Sequence, residues 1–105
     1  MLTNYERNVW NACTPQQRDI VYAVLGLNGE AGEASEVVKK ALYQGHGVQR
    51  DAILDELGDV LFYLTLAAVL HGSTLDELAA LNEEKRRKRY KNGTFTVGES
   101  VNRGE

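Results

Sequence analysis

The sequence predicts an all-α fold of the four-helix-bundle type, completed by homo-oligomerisation. Three observations predict it. Apolar residues recur at helical spacing over long stretches, glycine-bearing breaks separate those stretches, and no run alternates apolar with polar as a half-buried strand would. At 105 residues the chain reads as one domain with a small core, and bundles of this size often enlarge that core by pairing with a second copy. We expect a helical domain over residues 1–95 and a polar, glycine-bearing tail over 96–105, with Phe95 and Val97 as the only apolar anchors near it.

The elements follow in order. Residues 3–13 form a short helix with Tyr5, Val9 and Trp10 at helical spacing. Thr14-Pro15-Gln16-Gln17 then reads as a capping box, with Pro15 at the first helical position, opening a helix that runs to about Tyr43. Ile20, Val24, Leu27, Ala31, Ala34, Val38 and Ala41 trace one continuous apolar stripe along it. Gly45-His46-Gly47 ends this helix. Asp51 starts the third, whose stripe is Ile53, Leu57, Val60, Leu64 and Ala67 or Ala68, and His71-Gly72 stops it. Ser73 with Asp76 and Thr74 with Glu77 offer overlapping caps for a fourth helix from Leu75 to Tyr90 or Lys91, which Asn92-Gly93 terminates.

Composition narrows the function. The net charge of −3 argues against general nucleic-acid binding. The single cysteine, Cys13, can form no internal disulfide and reads as a small buried residue rather than a nucleophile. The N-terminus lacks the basic start and apolar run of a signal peptide, and the longest apolar stretch, Val60 to Leu70, is too short to span a bilayer. The expectation is a cytoplasmic protein with no membrane partner.

The chemistry lies in four acids. Glu30 and Glu33 are three apart, as are Glu56 and Asp59, so each pair shares a helix face beside an apolar stripe. Four carboxylates converging at the edge of a core repel one another unless a cation sits between them, and hard divalent cations such as Mg²⁺ take oxygen ligands of this kind. A single Glu-x-x-Glu is common on solvated helices; two such pairs, each with an embedded glycine and separated by one short loop, are much less so. A di-iron bundle needs Glu-x-x-His, yet position 68, three before His71, is alanine, and position 43, three before His46, is tyrosine. His46 reads as a loop residue and His71 as a helix-end residue favourable to the dipole.

Gly26, Gly29, Gly32 and Gly58 fall inside these helices, where each costs about 1 kcal/mol relative to alanine. A close approach by another helix or a ligand would account for them, Gly32 and Gly58 above all because each separates the two acids of a pair. The alternative for Gly26 is a helix break. On the fourth helix Asn82, Lys85 and Arg89 share a face at i, i+3 and i+7, with Tyr90 beside them. They are either a solvated last turn or donors for phosphate. Trp10 and Tyr5 either stack on a base or pack against the bundle.

These blocks resemble the all-α nucleotide pyrophosphohydrolases of the MazG type, to which dimeric dUTPases and phosphoribosyl-ATP pyrophosphohydrolases are related. Gly-Glu-Ala-Gly-Glu at 29–33, Glu-Leu-Gly-Asp-Val at 56–60 and Asn-x-x-Lys-x-x-x-Arg-Tyr at 82–90 occur in the family's order, and the resemblance covers roughly residues 15–95. The family pattern is Glu-Glu-x-x-Glu followed by Glu-x-x-Asp; Gly29 stands where the first glutamate usually does, which leaves the number of metal ions open. The resemblance implies that Glu30, Glu33, Glu56 and Asp59 bind Mg²⁺, and that Asn82, Lys85, Arg89 and Tyr90 contact a triphosphate. It also implies a homodimer or homotetramer whose sites are lined by more than one subunit. The resulting expectation is an Mg²⁺-dependent hydrolase of nucleoside triphosphates, deoxynucleotides foremost, giving the monophosphate and pyrophosphate. Glu33 or Glu36 would orient or deprotonate the attacking water. The rival readings are a non-catalytic helical module that binds a nucleotide or a protein, and a phosphoribosyl-ATP pyrophosphohydrolase.

Overall fold

The computed structural model describes residues 1–90, and among them there are four helices and no strand. The expected tail, with Phe95 and Val97, and the Asn92-Gly93 stop lie outside the described residues. Helices α1 (Asn4–Ala12), α2 (Ile20–Gln44) and α3 (Arg50–Leu70) belong to one compact unit that ends at Thr74. Helix α4 (Leu75–Arg89) belongs to a second unit. No helix among the described residues is long and apolar enough to cross a membrane.

Helix α1 is nucleated by a capping box that the sequence carries as Thr-x-x-Glu. The Thr3 hydroxyl accepts from the Glu6 amide at 3.2 Å, and the Thr3 amide donates to Glu6 Oε1 at 2.7 Å. Glu6 is buried there, its carboxyl accepting from the Thr3 amide.

The Thr14–Gln17 box also forms, with Thr14 N donating to Gln17 Oε1 at 2.9 Å and Gln17 N to Thr14 Oγ1 at 3.3 Å. It closes a single turn and does not open α2, which corrects the expected start at Pro15. Arg18 reaches back to the exposed carbonyl at the end of α1, donating from Nε and Nη2 to Trp10 O at 3.3 and 3.1 Å, with its guanidinium 4.5 Å from the Trp10 ring centre. The chain turns after it, and an extended Asp19 caps α2 through the Val21 amide.

From there α2 runs unbroken for 25 residues, so Gly26 is not a break. Gly45, in the left-handed region at φ 72°, ends it as a glycine C-cap should: His46 N returns to Ala41 O at 3.1 Å. Helix α3 begins at Arg50, one residue before the expected Asp51, and Gly72 at φ 68° closes it in the same way, with Ser73 N bonded to Ala68 O.

Helices α2 and α3 pack as a hairpin joined by residues 45–49, and α1 packs on α3. Val9, Cys13, Ala23 and Leu66 form the buried core, and Trp10, Tyr22, Phe62, Ala67 and Leu70 pack around it. The expected stripes are therefore corrected in part: Ala41 and Ala68, both assigned to them, are buried. On α2, Ala23 and Ala41 are buried while Val24, assigned to the stripe, is 48% exposed. On α3, Thr65, Leu66 and Ala68 are buried and Leu57 is 48% exposed. A hairpin covers only the narrow seam where two helices meet, so half of a wide apolar stripe stays uncovered within the unit.

Helix α4 carries Asp76 and Glu77 in its first turn and Arg86 to Arg89 in its last, each complementing the dipole of its end. Glu84 pairs with Arg87 and Lys88 one turn on.

Candidate metal centre

Glu30 projects from the middle of α2, and Glu56 and Asp59 from the facing turn of α3, so the hairpin brings one acid of the first pair to both acids of the second. Each of these three offers a carboxylate oxygen, and the oxygens all lie within 4.8 Å of one another. Glu30 and Glu56 are half-buried; Asp59 is exposed. Burial raises the Glu56 carboxyl above its ordinary value, a hydrogen bond with Glu30 raises it further, and the charges of Glu30, Glu33 and Asp55 add to this. Like charges held this close favour a shared proton or a shared cation.

Of the expected acids, Glu33 lies outside the trio but close enough for its charge to act on Glu56. Glu36, one turn further along α2, is exposed and is not drawn into the cluster. Gly29, Gly32 and Gly58 have nothing within 4 Å of where a Cβ would stand. No helix of the unit approaches them, and the faces beside the acids are open.

The donor set is oxygen only. His46 is engaged at the α2–α3 turn, with Gln44 Oε1 at 2.6 Å and Gly47 O at 2.7 Å, and the His71 Nδ1 donates to Ala67 O at 2.9 Å. Carboxylates without imidazole or thiolate suit Mg²⁺ or another hard cation, so the residues present fit the ion.

Three tyrosines adjoin the trio, and the sequence assigned them no role there. The Tyr63 phenol is pushed up to about 12, by its hydrogen bond with Tyr22, then by burial, then by the charges of Tyr22, Glu30 and Asp59. Tyr5 of α1 is raised by burial and by the Asp59 charge, offset in part by a hydrogen bond with Thr65. The signal was available for two of them. Tyr63 lies four residues after Asp59, and Tyr22, Gly26 and Glu30 fall four apart on one line of α2. Tyr5 comes from a different helix and left no such mark.

Trp10 is half-buried against the core with Arg18 over its ring, so a base stacking there would displace the guanidinium. On α4, Asn82, Lys85 and Arg89 are exposed and share a face, and Tyr90 follows the helix, its amide bonded to Arg86 O at 2.9 Å.

Comparison with known proteins bears on the same residues. A stretch of 51 residues is 45% identical to the Gene 37 protein of Mycobacterium phage L5, covering 45% of this chain and 45% of that protein, so the match spans less than half of the relative's length. No solved structure matches the chain. The family described as the MazG nucleotide pyrophosphohydrolase domain matches residues 22–94, which include all three acids of the trio, Glu33 and the whole of α4. By that match over most of its length, the chain belongs to the MazG nucleotide pyrophosphohydrolase family.

Proposed function

We propose that this protein is an Mg²⁺-dependent hydrolase of nucleoside triphosphates, deoxynucleoside triphosphates foremost, releasing the monophosphate and pyrophosphate. The observation that carries the reading is the meeting of Glu30, Glu56 and Asp59 across the α2–α3 hairpin. Family membership supports it. These three residues would hold the ion, with Glu33 beside them as the further ligand or as the group that orients water; Glu36 stands behind it as an alternative. When bound, Mg²⁺ supplies charge neutralisation for phosphate oxygens and acidifies a coordinated water.

The reaction is balanced by substrate and water alone. A water oxygen bonds to the α-phosphorus, the bond from that phosphorus to the α–β bridging oxygen breaks, a proton is given up, and pyrophosphate leaves. Glu33 or Glu36 takes or directs that proton. Asn82, Lys85, Arg89 and Tyr90 donate to the triphosphate, Lys85 and Arg89 offsetting the charge that grows on the leaving group. A nucleotide substrate places the working enzyme in the cytoplasm.

We further propose that the protein works as a homodimer or homotetramer. Ile20, Val21, Val24 and Leu25 line a shallow apolar depression on α2, and Leu54, Leu57 and Leu61 are exposed on α3. Apolar area of this extent on a small unit is suited to a second copy.

The experiment is a pyrophosphate-release assay across the common ribo- and deoxyribonucleoside triphosphates and phosphoribosyl-ATP, with Mg²⁺ and with chelator. Release from a triphosphate that depends on Mg²⁺ and is lost in Asp59→Ala is the expected result. Equal release in chelator, or none from any substrate by a protein that binds Mg²⁺, would overturn it.

A further inference from the structure

Gly26 lies four residues before Glu30 on α2, and Tyr63 lies four after Asp59 on α3, so each is one helical turn from an acid of the trio. The two meet. A Cβ at position 26 would stand 2.7 Å from Tyr63 Cζ, and nearer still to Cδ1 and Cε1, where ordinary contact is 3.4–4 Å. The ring occupies the space that a side chain at 26 would need. Among the described glycines of α2 and α3 this is the only one so approached, since Gly29, Gly32 and Gly58 face open space.

Tyr63 is also held from both sides. The Tyr22 ring, one turn before Gly26, sits 5.7 Å from it at 60°, and Phe62 meets it edge-on at 5.3 Å and 85°. A rigid ring pressed on the α2 backbone and packed on Tyr22 leaves the two helices little freedom to slide or separate at this level.

We propose that Tyr63 is a positioning residue: seated on the Gly26 backbone and packed against the Tyr22 ring, it sets the α2–α3 spacing at which Glu30, Glu56 and Asp59 converge. This rests on the reading of those acids as an Mg²⁺ site. Mg²⁺ demands near-ideal octahedral geometry and tolerates little displacement of its ligands, so a spacer one turn away governs affinity even though it touches no ion.

The test compares the wild type, Gly26→Ala, Tyr63→Phe, Tyr63→Ala and the Gly26→Ala/Tyr63→Ala pair. Mg²⁺ affinity is read by calorimetry with the metal alone, beside melting temperature in chelator. Gly26→Ala forces the ring away and should weaken Mg²⁺ binding about tenfold, although alanine is the better helix former. Tyr63→Phe keeps the ring that fills the space at Gly26 and should bind Mg²⁺ nearly as the wild type does, whereas Tyr63→Ala should weaken it. In the double variant the clash is gone, so Gly26→Ala should add no further loss to that of Tyr63→Ala. A wild type that binds Mg²⁺ alongside Gly26→Ala and Tyr63→Ala variants that bind it equally well overturns the positioning role alone, as do losses at 26 and 63 that simply add. A wild type that binds no Mg²⁺ overturns the acid site and the positioning role with it.

Discussion

The Glu30 and Glu56 carboxyls face one another across the α2–α3 hairpin, and with Asp59 they bring three oxygens within 4.8 Å of one another. Like charges held this close oppose ionisation, so in the absence of a cation Glu56 gives up its proton less readily than a free glutamate.

Stability in the absence of metal should therefore depend on pH in an unusual direction for a glutamate. The Glu56 carboxyl lies above its ordinary value of 4.5 in the fold. In the interval between the two values the native state binds more protons than the unfolded one, and its stability falls as pH rises through the raised value. With chelator present, the melting temperature should decline as pH rises from 4.5 through the raised value, and millimolar Mg²⁺ should remove that decline by taking the proton's place. Glu56→Gln should flatten the chelator profile. A profile that is flat in the wild type would show that the pair is not strained.

Millimolar Mg²⁺ should raise the melting temperature at pH 7, through binding that exists only in the native state. Asp59→Ala and Glu33→Ala should each lower turnover about a hundredfold or more while leaving the helical circular dichroism intact. Undiminished turnover in both would remove these acids from the site.

Lys85→Ala and Arg89→Ala should raise the KM for the triphosphate, and Arg86→Ala, pointing to another face of α4, should do so far less. Steady-state kinetics on one good substrate decides this, and equal effects at the three positions would reduce the basic run to a solvated helix end.

Self-association should weaken when charge is put on the exposed α2 face. Val24→Asp or Leu25→Asp should move the protein toward the monomer in light scattering behind a sizing column, because a carboxylate buried in an apolar contact carries a large desolvation cost. An unchanged mass in both variants would exclude this face.

Burial pushes the Cys13 thiol above its ordinary value, with Arg18 pulling weakly the other way. The native thiol should react with a disulfide reagent near pH 8 much more slowly than the denatured chain, since the thiolate is the nucleophile. Fast labelling of native protein would mean that the α1–α3 core opens readily.

Much of this was legible from residue order alone. The glycine stops at Gly45 and Gly72 ended their helices as expected, because a left-handed residue there satisfies the last carbonyls whatever the rest of the chain does. The paired acids were legible because spacing of three puts two side chains on one helix face. One local signal misled and another was missed. The Thr14–Gln17 box is real as a pair of hydrogen bonds, yet it caps one turn, because Arg18 binds back to Trp10 instead of continuing a helix. The Thr3–Glu6 box, with the same chemistry, does open a helix and went unremarked.

Residue order by itself determined the helices, their termini and which acids stand in pairs, since each depends on groups within one or two turns. Only the tertiary structure decided which member of each pair meets which, and that Gly26 rather than Gly32 or Gly58 is the glycine pressed by a side chain. It also decided which half of each apolar stripe is covered. Those outcomes depend on how α2 is rotated against α3, and a helix's own periodicity is indifferent to that rotation. It is set by the side chains that fit at the seam, Tyr63 against Gly26 among them.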